Sequence, residues 1–141
     1  MNFYFVNQWL HVTGGDIPPS AFNGYNIFSL ANISKVGTIG ESAFKSLISV
    51  QEVYIYDVTT ILDNAFYNCY NLVKVQLPET IRFIGNSAFQ NCQLLNEIQT
   101  PNSFQHLGDY AFCNTSVTKF NYGSAIKYIG NMHSINANLE I

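Results

Sequence analysis

Hydrophobic and polar positions change rhythm three times within residues 72–92, LVKVQLPETIRFIGNSAFQNC. Val73, Val75 and Leu77 alternate with Lys74 and Gln76, the period of two of a strand with one buried face. Pro78 ends that strand, because proline has no N–H to give to a ladder. A second extended piece, Ile81-Arg82-Phe83-Ile84, alternates again and stops at Gly85. Asn86-Ser87-Ala88-Phe89 then pairs a small and a large apolar residue behind a Ser or Asn, which predicts a helical turn capped by that polar side chain.

The same three-part pattern recurs along the chain. IPPSAFNGY begins at Ile17, IGESAFKSL at Ile39, ILDNAFYNC at Ile61, IGNSAFQNC at Ile84 and LGDYAFCNT at Leu107, at steps of 22, 22, 23 and 23 residues. Ile129-Gly130 opens another unit. Between these motifs IFSLANISKVGTIG (27–40), LNEIQTPNSFQHLG (95–108) and VTKFNYGSAIKYIG (117–130) align with 72–85, and VQEVYIYDVTTILD (50–63) aligns after a one-residue deletion. A unit this short cannot bury its own apolar residues, but stacking copies at the ~4.8 Å strand spacing covers each with the next. Leu72, Val75, Leu77, Ile81, Ile84, Ala88, Phe89 and Cys92 then become rungs of internal ladders, and Phe44, Phe66, Phe89 and Phe112 form a column. The expected organisation is one solenoid domain over residues 1–141, with an irregular first coil at 1–16 and an incomplete last coil at 131–141. Neither MNFYFVNQWL nor NMHSINANLEI has the polar character expected of a cap. MNFYFVNQWLHV lacks the basic start of a signal peptide and reads as a distorted first repeat.

Composition narrows the function. Charged residues are 11% of the 141, against roughly 25% in an average domain, as suits close-packed layers with few free surface positions. The net charge is -3, and the six basic residues are scattered, so nucleic acid is a poor partner. No apolar run reaches the ~20 residues of a membrane-spanning helix.

Taken together, I-G-x-x-A-F-x-x-C at this period resembles the BspA-like leucine-rich repeats, whose units read approximately L-x-x-V-x-I-P-x-S-V-x-x-I-G-x-x-A-F-x-x-C. The resemblance covers about residues 17–130. Departures are Pro18-Pro19 and Leu62 in place of Gly, and Tyr25, Leu47 and Thr115 in the slot of Cys69 and Cys92. It implies an α/β, horseshoe-like, right-handed leucine-rich-repeat solenoid, with a parallel strand ladder on the concave face and short strands or helical turns on the convex side. It further implies a surface or secreted protein that adheres to host or extracellular matrix proteins. An intracellular scaffold binding another cellular protein, or a fragment of a longer chain, is the alternative.

Catalytic chemistry is not encoded in any recognisable form. His11, His106 and His133 fall at unrelated phases, no nucleophile elbow, phosphate loop or H-E-x-x-H occurs, and Glu52 and Glu97 lie two coils apart with Lys74 between. Three cysteines give no zinc spacing, and neither metal nor cofactor is expected. Cys69 and Cys92 share a phase and read as buried free thiols in preference to a disulfide, while Cys113 reads as outward and reactive. Asn32 and Asn114 begin glycosylation sequons, although Asn114 also repeats Asn68 and Asn91, which points to a structural role at the coil corner. The candidate binding surface is the set of outward strand positions, Ser29, Ala31, Glu52, Tyr54, Lys74, Gln76, Glu97, Gln99, Lys119 and Asn121. Tyr54 is its aromatic anchor, and Tyr56 and Tyr122 flank it.

Overall fold

The computed structural model describes residues 1–132, so His133 and most of the expected incomplete last coil (131–141) lie outside the described residues. The described residues form ten strands in chain order: β1 Asn2–Val6, β2 Trp9–Thr13, β3 Leu30–Ser34, β4 Thr38–Ile39, β5 Glu52–Ile55, β6 Thr60–Ile61, β7 Lys74–Gln76, β8 Phe83–Ile84, β9 His106–Leu107 and β10 Tyr128–Ile129. They form two five-stranded sheets, β1-β2-β3-β5-β7 and β10-β9-β8-β6-β4. Every pairing is parallel except that of β1 with β2. Successive coils thus lay their strands side by side in both sheets and return along a third wall.

Equal phase means spatial neighbour. Leu10, Ala31, Val53 and Val75 are paired across the first sheet, and Ile39, Ile61, Ile84, Leu107 and Ile129 across the second. The third wall carries the aromatic column: Phe22, Phe44, Phe66, Phe89 and Phe112 stack with centroids 5.2, 5.1, 5.1 and 5.3 Å apart and planes within 9° of parallel. These spacings follow the hydrogen-bonded rise between coils, so one backbone repeat sets both the ladder and the ring stack.

The expected helical turns are absent, and among the described residues there is no helix, so the α/β label gives way to an all-β solenoid. The polar residue before Ala-Phe does not cap a helix but adopts the left-handed conformation, at Ser42 (φ 56°), Asn64 (58°), Ser87 (54°) and even Tyr110 (57°). A second left-handed residue follows two positions after the Phe, at Ser46, Asn68, Asn91 and Asn114. These residues divide the wall into tandem β-turns, as in Ala65 N–H to Leu62 O, Tyr67 N–H to Asn64 O and Cys69 N–H to Phe66 O. The intervening amides point along the solenoid axis, with Asn64, Phe66 and Asn68 donating to Asn86, Ala88 and Gln90. Ser and Asn serve because they tolerate the left-handed region.

Glycine has a different reason. A Cβ on Gly85 would lie 2.4 Å from Asp63 Oδ1 and 2.7 Å from Asp63 N, and one on Gly108 would lie 2.4 Å from Gly85 C. Adjacent coils approach there to backbone contact, and the following Asx side chain closes the gap. Asp63 Oδ1 accepts from Asn86 N–H, Asn86 Oδ1 from Asp109 N–H and Asp109 Oδ1 from Asn131 N–H, at 2.7–2.8 Å.

Cys69 and Cys92 are buried and form no disulfide. Each donates to the carbonyl of a Phe from the preceding coil, Cys69 to Phe44 at 3.1 Å and Cys92 to Phe66 at 3.2 Å. Thr115 fills the same slot and donates to Phe112 O. Burial, with the adjacent Cys69 thiol, pushes the Cys92 thiol well above its ordinary range. Cys113 is half-buried. Asn114 is fixed in an asparagine ladder, its Nδ2 donating to Asn91 Oδ1 (3.0 Å) and that of Asn91 to Asn68 Oδ1 (2.8 Å). No buried side-chain N or O among the described residues lacks a partner.

Within the first sixteen residues β2 takes the place of a coil strand beside β3, and only the segment before it departs from the repeat. MNFYFV is not a coil but a strand folded antiparallel over β2 through the two-residue turn Asn7-Gln8, with Asn7 at φ 54°. It places Phe3 against Phe22 at 5.3 Å and Phe5 against Phe28 at 6.1 Å, covering the end of the core.

Candidate functional site

The outer face of the first sheet is built by the alternation of each strand. Inward residues Val53, Ile55 and Val75 are buried, and their neighbours face out. Glu52 pairs with Lys74, and Tyr54 with Gln76; Lys74 is bridged in turn to Glu97. Two expected rows are thus physical rows. Glu97 and Gln99 line one shallow groove with Lys74 and Gln76, and a second with Lys119 and Asn121. Lys74, Gln76, Glu97, Gln99, Lys119 and Asn121 are exposed, while Glu52 and Tyr54 are half-buried.

Four expected positions are placed differently. Ala31 is buried and pairs with Val53, so the outward residues of β3 are Leu30 and Asn32; Ser29 precedes that strand. The spacing from Ala31 to Val53 to Val75 is 22 residues at each step, whereas Ile39, Ile61 and Ile84 step by 22 and then 23. The additional residue therefore lies in the corner after Gln76, not before the strand, and an alignment pinned on Ile-Gly misplaces β3 by one. Val73 is exposed, outside the short strand β7. Tyr122 is buried against Phe120 at 4.9 Å and does not flank the surface, whereas Tyr56 is exposed.

What the repeat comparison misses is aromatic. β2 aligns Trp9 with Leu30 and His11 with Asn32, so both rows extend to the N-terminal hairpin. The rings of Tyr4 and His11 stack at 4.9 Å, His11 and Trp9 lie 6.0 Å apart, and Trp9 and Tyr54 5.9 Å apart. Lys74 Nζ sits 5.2 Å from the Tyr54 ring centroid, a cation–π contact. The Tyr54 hydroxyl donates to Glu52 Oε2, and that bond holds the phenol proton on and raises its pKa. Partial burial and the carboxylate charge act in the same direction, and Lys74 opposes them. Alternation in WLHVT, with Leu10 and Val12 inward, is the signal that locates Trp9 and His11. The sequon residue Asn32 stands on this face between His11 and Tyr54, half-buried. No group of three or more metal-ligating side chains occurs among the described residues.

No similar sequence is found among curated proteins. Solved structures share the fold. A T. pallidum leucine-rich repeat protein is 18% identical with a TM-score of 0.71, covering 84% of this chain and 67% of its own. One from Bacteroides ovatus is 24% identical with a TM-score of 0.80, and one from Eubacterium ventriosum 25% with 0.72. They cover 92% and 85% of this chain, which spans only 36% and 35% of theirs. The sequence itself matches the family described as BspA type leucine rich repeat region, in six copies over residues 15–140. Stacked coils, the Ile-Gly and Ala-Phe ladders and that match agree, and the chain belongs to the BspA-type leucine-rich repeat family.

Proposed function

We propose that this chain is a non-catalytic module that binds a protein through the outer face of its first sheet. The family supports an interaction module in general terms. The observation that supports this face is its continuous aromatic strip, Tyr4, His11, Trp9 and Tyr54, bordered by Glu52, Lys74 and Gln76. Aromatic anchors are enriched among the few residues that dominate protein interfaces, where truncation of one costs about 2 kcal/mol or more. The repeats otherwise vary little, so this surface carries the chain's recognition chemistry.

In the fuller reading the module acts at the cell surface or after secretion and adheres to host or matrix proteins. Immobilised extracellular matrix proteins and a cytosolic lysate, probed side by side with this chain, test it. Matrix capture that falls at least tenfold in Trp9→Ala/Tyr54→Ala, with the circular dichroism unchanged, supports the proposal. Capture indifferent to those changes moves the binding surface to another face. Capture from the cytosolic lysate alone replaces adhesion with an intracellular scaffold.

A further inference from the structure

Among the described residues strand β1 ends the first sheet, and one of its backbone edges has no strand beside it. All five of its residues are exposed, none is charged and none is proline. Natural edge strands normally carry a charge, a proline or a bulge that blocks further pairing. The other end of the same sheet does so, with Lys74 and Gln76 in β7 and Glu97 beyond. At the β1 end Phe3 is 50% exposed, Tyr4 54% and Val6 50%, while Tyr25, also exposed, packs on Phe5. Phe3 and Phe5 face the core side, so they are an unfinished layer of it. Half the surface of these side chains, Phe3, Phe5 and Tyr25 on the core side and Tyr4 and Val6 on the opposite face, sums to roughly 400–500 Å² per copy. Doubled, it sets a ceiling of about 1,000 Å² on the area two copies can bury, the size of a weak and reversible interface.

We propose that the occupant of this edge is a second copy of the chain, paired β1 to β1 in antiparallel register about Tyr4. That register is self-complementary, as a two-fold axis requires. Tyr4 meets Tyr4 of the other copy, Phe3 meets Phe5, and Asn2 meets Val6. The aromatic layers of both copies close over each other on the core side. No like charges oppose one another in the strand. The two five-stranded sheets become one of ten strands, with the aromatic strips of both copies adjacent across the axis. Any ligand of that face is then held twice.

Sedimentation equilibrium of the 141-residue chain, from low micromolar to near-millimolar protein, tests this. The expected result is a reversible rise from 15.9 kDa to twice that mass. Asn2→Lys/Val6→Lys places lysine opposite lysine at two symmetry-related positions and weakens the dimer roughly tenfold, while Asn2→Asp/Val6→Lys places opposite charges there and restores it. Both positions are exposed, and circular dichroism verifies the fold of each variant. Under mild oxidation Tyr4→Cys gives a covalent dimer and Val6→Cys does not, because the two Val6 positions lie far apart in this register. A monomer at every concentration overturns the proposal. So does a dimer indifferent to the charge pairs, or open head-to-tail growth beyond two copies.

Discussion

Replacing Phe89 by alanine tests the column that holds the third wall. Phe89 is fully buried, its ring 5.1 Å from that of Phe66 and 5.3 Å from that of Phe112. The backbone on either side is fixed, Phe66 N–H to Ala88 O at 2.7 Å and Phe89 N–H to Ala111 O at 2.8 Å, so the coils cannot close over the vacated space. A Phe-to-Ala cavity that persists costs about 3–5 kcal/mol, against a total stability of about 5–15 kcal/mol for a domain. Phe22 provides the internal comparison. It has a column neighbour on one side only, at 5.2 Å, and an exposed Phe3 on the other, so Phe22→Ala costs roughly 1–2 kcal/mol less. Urea denaturation followed by circular dichroism measures both, and the fluorescence of Trp9, the chain's single tryptophan, reports the N-terminal coils separately. Coincident transitions show that the coils melt together, while a lowered slope in Phe89→Ala marks their uncoupling. A loss below about 1 kcal/mol for Phe89→Ala, or one equal to that of Phe22→Ala, refutes the column as a source of stability.

Other perturbations bear on the remaining ladders. Gly85→Ala drives a methyl into the backbone of Asp63 and costs about 2–3 kcal/mol by the same denaturation assay, whereas Gly24→Ala, with nothing within 4 Å, bears only the strain of its φ of 68°. Asn91→Gly keeps the left-handed turn and loses only ladder hydrogen bonds, so it destabilises less than Asn91→Ala by about 1 kcal/mol. The raised Cys92 pKa stabilises the fold while the unfolded thiol stays protonated, and that contribution declines as the pH rises past the ordinary thiol range. Stability profiles above pH ~8 should be less steep in Cys92→Ala, and native Cys92 should resist thiol reagents until the chain unfolds.

Repetition makes the core legible from the sequence. Val53, Ile61, Ala88 and Phe112 are buried where their phase puts them, because a stacked chain converts sequence interval into distance. The third wall is harder to read, because Ser and Asn in front of an apolar pair mark a helix cap and a left-handed turn equally well, and only the conformation of the neighbouring coil decides. The outward rows are legible from Glu52 to Gln99 and slip by one at Ala31, because residues 27–40 have the shorter corner of 50–63 but align with 72–85 without a gap. Trp9 and His11 escape for a related reason: the Ala-Phe motif that sets the repeat register begins only at Ile17.

The corner between Gln76 and Phe83 holds one residue more than its counterpart between Tyr54 and Thr60, yet β7 and β8 keep their pairings with the preceding coil. Length variation there is absorbed without propagating to either sheet. Such a bend is where foreign peptide can be spliced in, or where the family can acquire new loops, while the rest of the winding goes on undisturbed.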